Sequence, residues 1–256
     1  MKKLVLSIFM CLLVLPNLVM AYTATINDFS NGSSTYWGGA VYNASATENG
    51  DVIGSPYFNV DTMSVTKSGT NWAVVLTGNY FSNYQNPSAD SGFPSKLGPG
   101  DLYISSNGWN ATNSINGHYA TDAFTQSEGW NFVVTQVNGV WGLYSLNFGG
   151  IDFTNVRTVG DESRYIFRKN QAWRGGAGTY IGTASSALSG NTLTFTFNTG
   201  NLDFSGNVGF HWTMECGNDV VEGQVTNVPR VPEPATLLLL GLGLCGLGAS
   251  TRRLMK

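Results

Sequence analysis

The sequence predicts an all-β fold: a single jelly-roll-like antiparallel β-sandwich over residues 22–228, flanked by a signal peptide and a C-terminal transmembrane helix. Three observations carry this expectation. Short runs rich in Val, Phe, Thr and Tyr alternate with Gly, Asn and Ser clusters, and no stretch of the body shows amphipathic helical periodicity. Glycine supplies 32 of the 256 residues while charged side chains make up 11%, against roughly a quarter in an average soluble chain, which excludes a coiled coil and a charge-rich disordered chain. No fixed-period repeat is present, so neither a solenoid nor a propeller is expected.

The strands follow from local chemistry. Met63–Thr66 and Trp72–Leu76, separated by Ser68-Gly69-Thr70-Asn71, read as a hairpin. Asp101–Ser105 is a further strand candidate. Trp130–Val137 and Val140–Leu146 flank Asn138-Gly139, the pair that a type I′ turn requires because both central residues need positive φ. Arg164–Arg168, Leu193–Phe197 and Val208–Met214 complete the set, enough strands for one domain of this length. Cys216 is the only thiol between the two ends, so the body holds no internal disulfide and depends on its core.

Both ends read as targeting segments. Met1-Lys2-Lys3, an apolar run from Leu4 to Leu15, and Val19-Met20-Ala21 form a signal peptide, 1–21, that signal peptidase would cut after Ala21. At the other end, Val231-Pro232-Glu233-Pro234 precedes an uncharged stretch, about 235–251, and then Arg252, Arg253 and Lys256. As a helix, the 16 residues from Ala235 to Ser250 span roughly 24 Å, and the reach of the arginines extends them toward the inner-membrane thickness. Basic residues after the span place the C-terminus in the cytoplasm and the body outside. Proline restricts its own backbone and that of its predecessor, so residues 231–234 stay extended and offer one carboxylate to a reading groove.

This order of Pro-Glu-Pro, a Leu/Gly-rich span and a short basic end over residues 229–256 resembles the PEP-CTERM sorting signal of bacterial exosortase substrates. Phe210–Gly223 is also similar to a segment that recurs before such tails. The resemblance implies a Gram-negative cell, processing by exosortase at Pro232, Glu233 and Pro234, transient anchoring in the inner membrane, and delivery to the cell surface or beyond. It also implies exopolysaccharide or biofilm matrix in the surroundings.

Chemistry is less marked. The overall charge of −3 hides a body, residues 22–229, with 7 basic and 15 acidic residues, a balance of −8 that makes nucleic acid an unexpected partner. His118 and His211 are the only imidazoles, without a nucleophile elbow or zinc spacing around them. A glycosidase needs two facing carboxylates. Glu128, Glu215 and Glu222, with Asp101, Asp122 and Asp203, are candidates, but they stand singly near turns. No catalytic residue, metal or cofactor is therefore expected, and calcium at loop acids is not signalled by a recognisable loop. Trp37 in Tyr36-Trp37-Gly38-Gly39, Trp109 in Asn107-Gly108-Trp109-Asn110 and Trp173 in Ala172-Trp173-Arg174-Gly175 either stack on sugar rings or fold back over the sandwich ends. The expected body is a non-catalytic binding or structural module for exopolysaccharide, with a carboxylate-pair hydrolase and a self-associating adhesin as alternatives. Thr192–Thr196 is the only Thr-x-Thr run of its length, one strand's worth.

Overall fold

The structure, a computed structural model, describes residues 21–27, 58–85, 98–110, 123–154, 170–217 and 219–230. The signal-peptide residues 1–20, the strand candidate Arg164–Arg168, and Trp37, His118 and Asp122 lie outside them. So does the tail from Val231 onward, with Pro232, Glu233, Pro234, the apolar span 235–251, Arg252 and Arg253.

Ten strands are described: β1 (Tyr22–Asn27), β2 (Thr62–Ser68), β3 (Asn71–Thr77), β4 (Leu102–Ser105), β5 (Phe132–Val137), β6 (Val140–Phe153), β7 (Ala172–Ser189), β8 (Thr192–Asn198), β9 (Gly206–Thr213) and β10 (Val220–Val228). One short helix, α1 (Asn79–Gln85), follows β3. The all-β expectation holds, but the two-sheet jelly-roll sandwich does not appear. The strands form one antiparallel sheet in the order β1-β2-β3-β8-β7-β6-β5-β4-β9-β10, curled until its edges approach each other.

The 18-residue strand β7 explains the difference. It pairs with β6 from Ala172 to Thr183 and with β8 from Ala184 to Ser189, so a single strand carries the ladder from one half to the other. Two of its glycines make the turn possible. Gly175 and Gly176 sit at φ +84° and +80°, which side chains rarely adopt. Further along, a Cβ on Gly182 would stand 2.3 Å from the Asn198 carbonyl oxygen, so only glycine allows that approach. The β6–β7 register shifts several times over this stretch, the bending expected of bulges.

The hairpins form as their turn residues dictate. Asn138 and Gly139 take φ of 50° and 82° between β5 and β6. Ser68 pairs with Asn71, leaving Gly69-Thr70 as a two-residue turn with Gly69 at φ 61°. Alternation then sorts side chains between the faces. Inward residues of both halves form the main core, with Trp72, Phe195, Phe210 and Trp212 among its largest fully buried members. Trp72 stacks on Phe197 with centroids 5.9 Å apart, and Trp212 meets Phe81 of α1 at 5.4 Å. Burying each such ring contributes roughly 1.5–3 kcal/mol. On the opposite face of the β4–β6 half, Tyr103, Phe124, Trp130, Val133 and Ala172 make a second cluster.

Candidate functional site

The place where the tail leaves the body is built from four distant parts of the chain. β10 runs along one edge of the sheet and β1 along the other, and the edges meet without forming a ladder. The Tyr22 hydroxyl donates across the seam to the Thr226 carbonyl at 2.7 Å. Ile26 covers Gly223, where a Cβ would come within 2.8 Å of Ile26 Cγ2. Tyr22 is also the register partner of Lys67 on β2.

Lys67 lies at an inward position, in phase with Met63 and Val65, and is 2% exposed. A buried ammonium is costly unless its protons are satisfied. Its Nζ donates to the Phe204 carbonyl at 2.8 Å and to the Pro229 carbonyl, and it sits 5.3 Å from the Trp72 ring centroid. Burial pushes the Lys67 pKa down, and the nearby Asp203 carboxylate opposes that shift. One residue beyond Pro229, Arg230 Nε lies 3.4 Å from Asp203 Oδ2; both side chains are exposed, so this pair adds little stability. Sequence reading passed over Lys67. The signal was the strand alternation itself, which set a lysine in the buried phase of β2.

The candidate carboxylates within the described residues have separate structural partners. Glu128 Oε2 accepts from the Thr125 backbone N–H at 2.7 Å and from Trp130 Nε1 at 3.0 Å, closing the Gln126–Glu128 turn as a capping box. Glu215 Oε2 accepts from the Gly98 N–H at 3.4 Å. Asp203 faces Arg230. Asp101 Oδ2 accepts from the Thr135 hydroxyl and from the Gly175 N–H at 2.8 Å. Among the described residues, no three of His, Cys, Asp and Glu gather as a metal site, and Cys216 is a buried thiol outside any disulfide.

Burial pushes the Asp101 carboxyl up to about 6, against the lowering effect of its two hydrogen bonds. A carboxyl whose folded pKa is raised keeps its proton while the unfolded chain has already lost it, so stability falls as pH rises from about 4 to about 6. Asp101→Asn keeps an oxygen for both donors and abolishes that titration. The unfolding free energy of wild type should fall relative to the variant by about 3 kcal/mol across this window, and urea titrations at pH 4, 5, 6 and 7 check it.

His211 is fully buried on β9, facing Glu222 on β10. Its Nε2 lies 2.9 Å from the Ala172 carbonyl, which only accepts, so Nε2 carries a proton. Its Nδ1 lies 3.1 Å from Glu222 Oε1, a contact that one further proton satisfies on either partner. Tyr103, Phe124 and Trp130 surround the ring. The pair is thus embedded in the second cluster.

Of the aromatic candidates, Trp109 follows β4, is half-buried against the second cluster, and donates its backbone N–H to Gln224 Oε1 at 3.2 Å. Gly209 on β9 gives it room, since a Cβ there would come within 2.9 Å of Trp109 Cβ. Trp173 lies in β7, its ring 4.7 Å from the Arg174 guanidinium carbon. Its carbonyl accepts from the Asp101 N–H at 2.7 Å.

A family model of the PEP-CTERM protein-sorting motif matches residues 230–253, starting one residue after the carbonyl that Lys67 holds. No curated protein and no solved structure matches the chain. The match implies export, membrane-associated sorting and processing by an exosortase, and it identifies the last part of this chain as a PEP-CTERM protein-sorting motif.

Proposed function

We propose that residues 22–228 form a non-catalytic binding or structural module that reaches the cell surface or medium through exosortase, with exopolysaccharide of the matrix as its partner. In this reading signal peptidase removes residues 1–21, the span 235–251 holds the protein briefly in the inner membrane, and Arg252 and Arg253 stop transfer on the cytoplasmic side. The sorting-motif match at residues 230–253 is the observation that carries the proposal. A non-catalytic body is favoured because Glu128, Glu215, Asp101 and Asp203 are engaged with separate local partners. Trp173 and Trp109 are the rings to test for sugar stacking.

Changing Pro232 and Glu233 to Ala together should leave full-length protein in the inner membrane, measured by mass spectrometry of the C-terminus in membrane, surface and medium fractions. Processing and release at the wild-type rate would refute the sorting role. Matrix-partner binding is read separately, by co-sedimentation of the exported protein with purified matrix polysaccharide; no retention removes that part of the proposal.

A further inference from the structure

We infer that Lys67 is a positioning residue for tail processing: by holding the Pro229 carbonyl it fixes the direction in which the sorting motif leaves the body, and so makes processing depend on the body being folded. The inference rests on the exosortase reading above and adds a residue outside the motif to it.

The lock has no local version. Lys67 belongs to β2, its second acceptor Phe204 lies just before β9, and Pro229 follows β10, at sequence separations of 137 and 162 residues. Tyr22, which is paired with Lys67 in the β1–β2 ladder, reaches 204 residues along the chain to Thr226. These groups meet only once the sheet has curled on itself. In an unfolded or half-folded body Pro229 and everything after it is free chain, with many directions open to it.

The chemistry suits a clamp rather than a chance contact. A buried lysine is retained at an inward strand position where an apolar residue would otherwise sit, and its protons go to main-chain carbonyls rather than to a carboxylate. A carbonyl acceptor holds the backbone itself, so the constraint passes directly to the next peptide unit. Arg230 is the first residue of the matched motif, and its side chain lies beside Asp203, on the segment that also supplies Phe204. The prolines that follow restrict part of the chain after Pro229, so a constraint placed at Pro229 narrows the directions open to the motif. A motif presented in one extended direction loses less freedom on entering an enzyme groove than a free one, and is captured more often.

Two variants of the full chain, expressed in cells that contain the processing machinery, test this. Lys67→Met removes the clamp and leaves the motif intact. Insertion of Gly-Ser-Gly-Ser between Pro229 and Arg230 leaves the clamp intact but uncouples the motif from it, so it decides the matter even if the first variant folds poorly. Pulse-chase labelling should show tail processing slowed by about tenfold in Lys67→Met, the population change that loss of one charge-assisted hydrogen bond produces, and by a similar factor in the insertion variant, whose motif no longer inherits the direction set at Pro229. Lys67→Arg, which can still donate to carbonyls, should recover part of the rate, and the melting temperature of each variant separates lost positioning from lost folding. Wild-type processing in the insertion variant overturns the inference. The Pro232→Ala, Glu233→Ala chain is run alongside: if it too is processed normally, the exosortase reading has failed, whereas its arrest with normal processing of the insertion variant removes Lys67 alone.

Discussion

Trp212→Ala is expected to lower the unfolding free energy by about 3–5 kcal/mol, a large share of what a domain of this size holds. Trp212 is fully buried on β9, touches Tyr80 and Phe81 of α1 with centroids 5.9 and 5.4 Å away, and donates its Nε1 proton to the Gly100 carbonyl at 3.1 Å. Truncation leaves a cavity against the helix and strands that acceptor. Gly100 already lies close against β9, since a Cβ there would stand 2.1 Å from the Thr213 carbonyl oxygen. Trp212→Phe retains most of the ring and should cost less than half as much. Urea unfolding followed by circular dichroism measures both, and an alanine variant within about 1 kcal/mol of wild type would mean that the site collapses in a way this packing does not allow.

The second large effect belongs to the buried pair of His211 and Glu222, whose side chains are 0% and 5% exposed. His211→Phe leaves the Glu222 carboxylate without its cross-strand partner inside an aromatic cluster, and a loss of about 3–5 kcal/mol is expected. Adding Glu222→Leu removes the stranded acid and should recover most of that loss, because an apolar pair of similar volume matches the surrounding rings. The comparison is made at neutral pH by urea titration of the two single variants and the double variant. Additive losses, with the double variant worse than either single one, would show that the two residues act independently rather than as a unit.

Much of the sheet was legible because turn chemistry and alternation agree there. Asn138-Gly139 announces its hairpin from two residues alone, and Leu193, Phe195 and Phe197 mark the buried side of β8 by their spacing. β7 was missed for a physical reason. Its Gly, Ala and Ser content offers no apolar alternation, since its job is to pass close to neighbouring backbones and bend between two partners. With that strand unseen, two separate sheets were the natural expectation, and a single curled one is what its length produces. β6 was read to Leu146 and continues to Phe153 for a related reason: its last residues pair with the glycine-rich start of β7 through a shifted register.

The site was legible unevenly. The Pro-Glu-Pro order and its flanks identify the tail without any tertiary information, because they are contiguous in the sequence. Lys67 was not legible, since a lysine in a strand of Thr and Ser looks like a solvent-facing residue until the inward phase of Met63 and Val65 is counted through to it. In the sequence Glu128 and Glu222 read as acids of possible chemistry, while their partners, a turn backbone and a histidine on the neighbouring strand, depend on three-dimensional proximity.

One further consequence concerns which way the molecule faces. Tyr22 and Pro229, near the two ends of the described body, stand at the same end of the curled sheet, beside the Gly69-Thr70 turn. The strands then run to an opposite pole, where Gln85 of α1 bonds the Gly190 carbonyl in the β7–β8 turn. Only residues 231–234 separate Arg230 from the apolar span, a reach of at most about 14 Å when fully stretched. Both ends of the described body therefore share one pole of the curled sheet, and the helix-bearing pole lies away from Arg230, where the sorting motif begins.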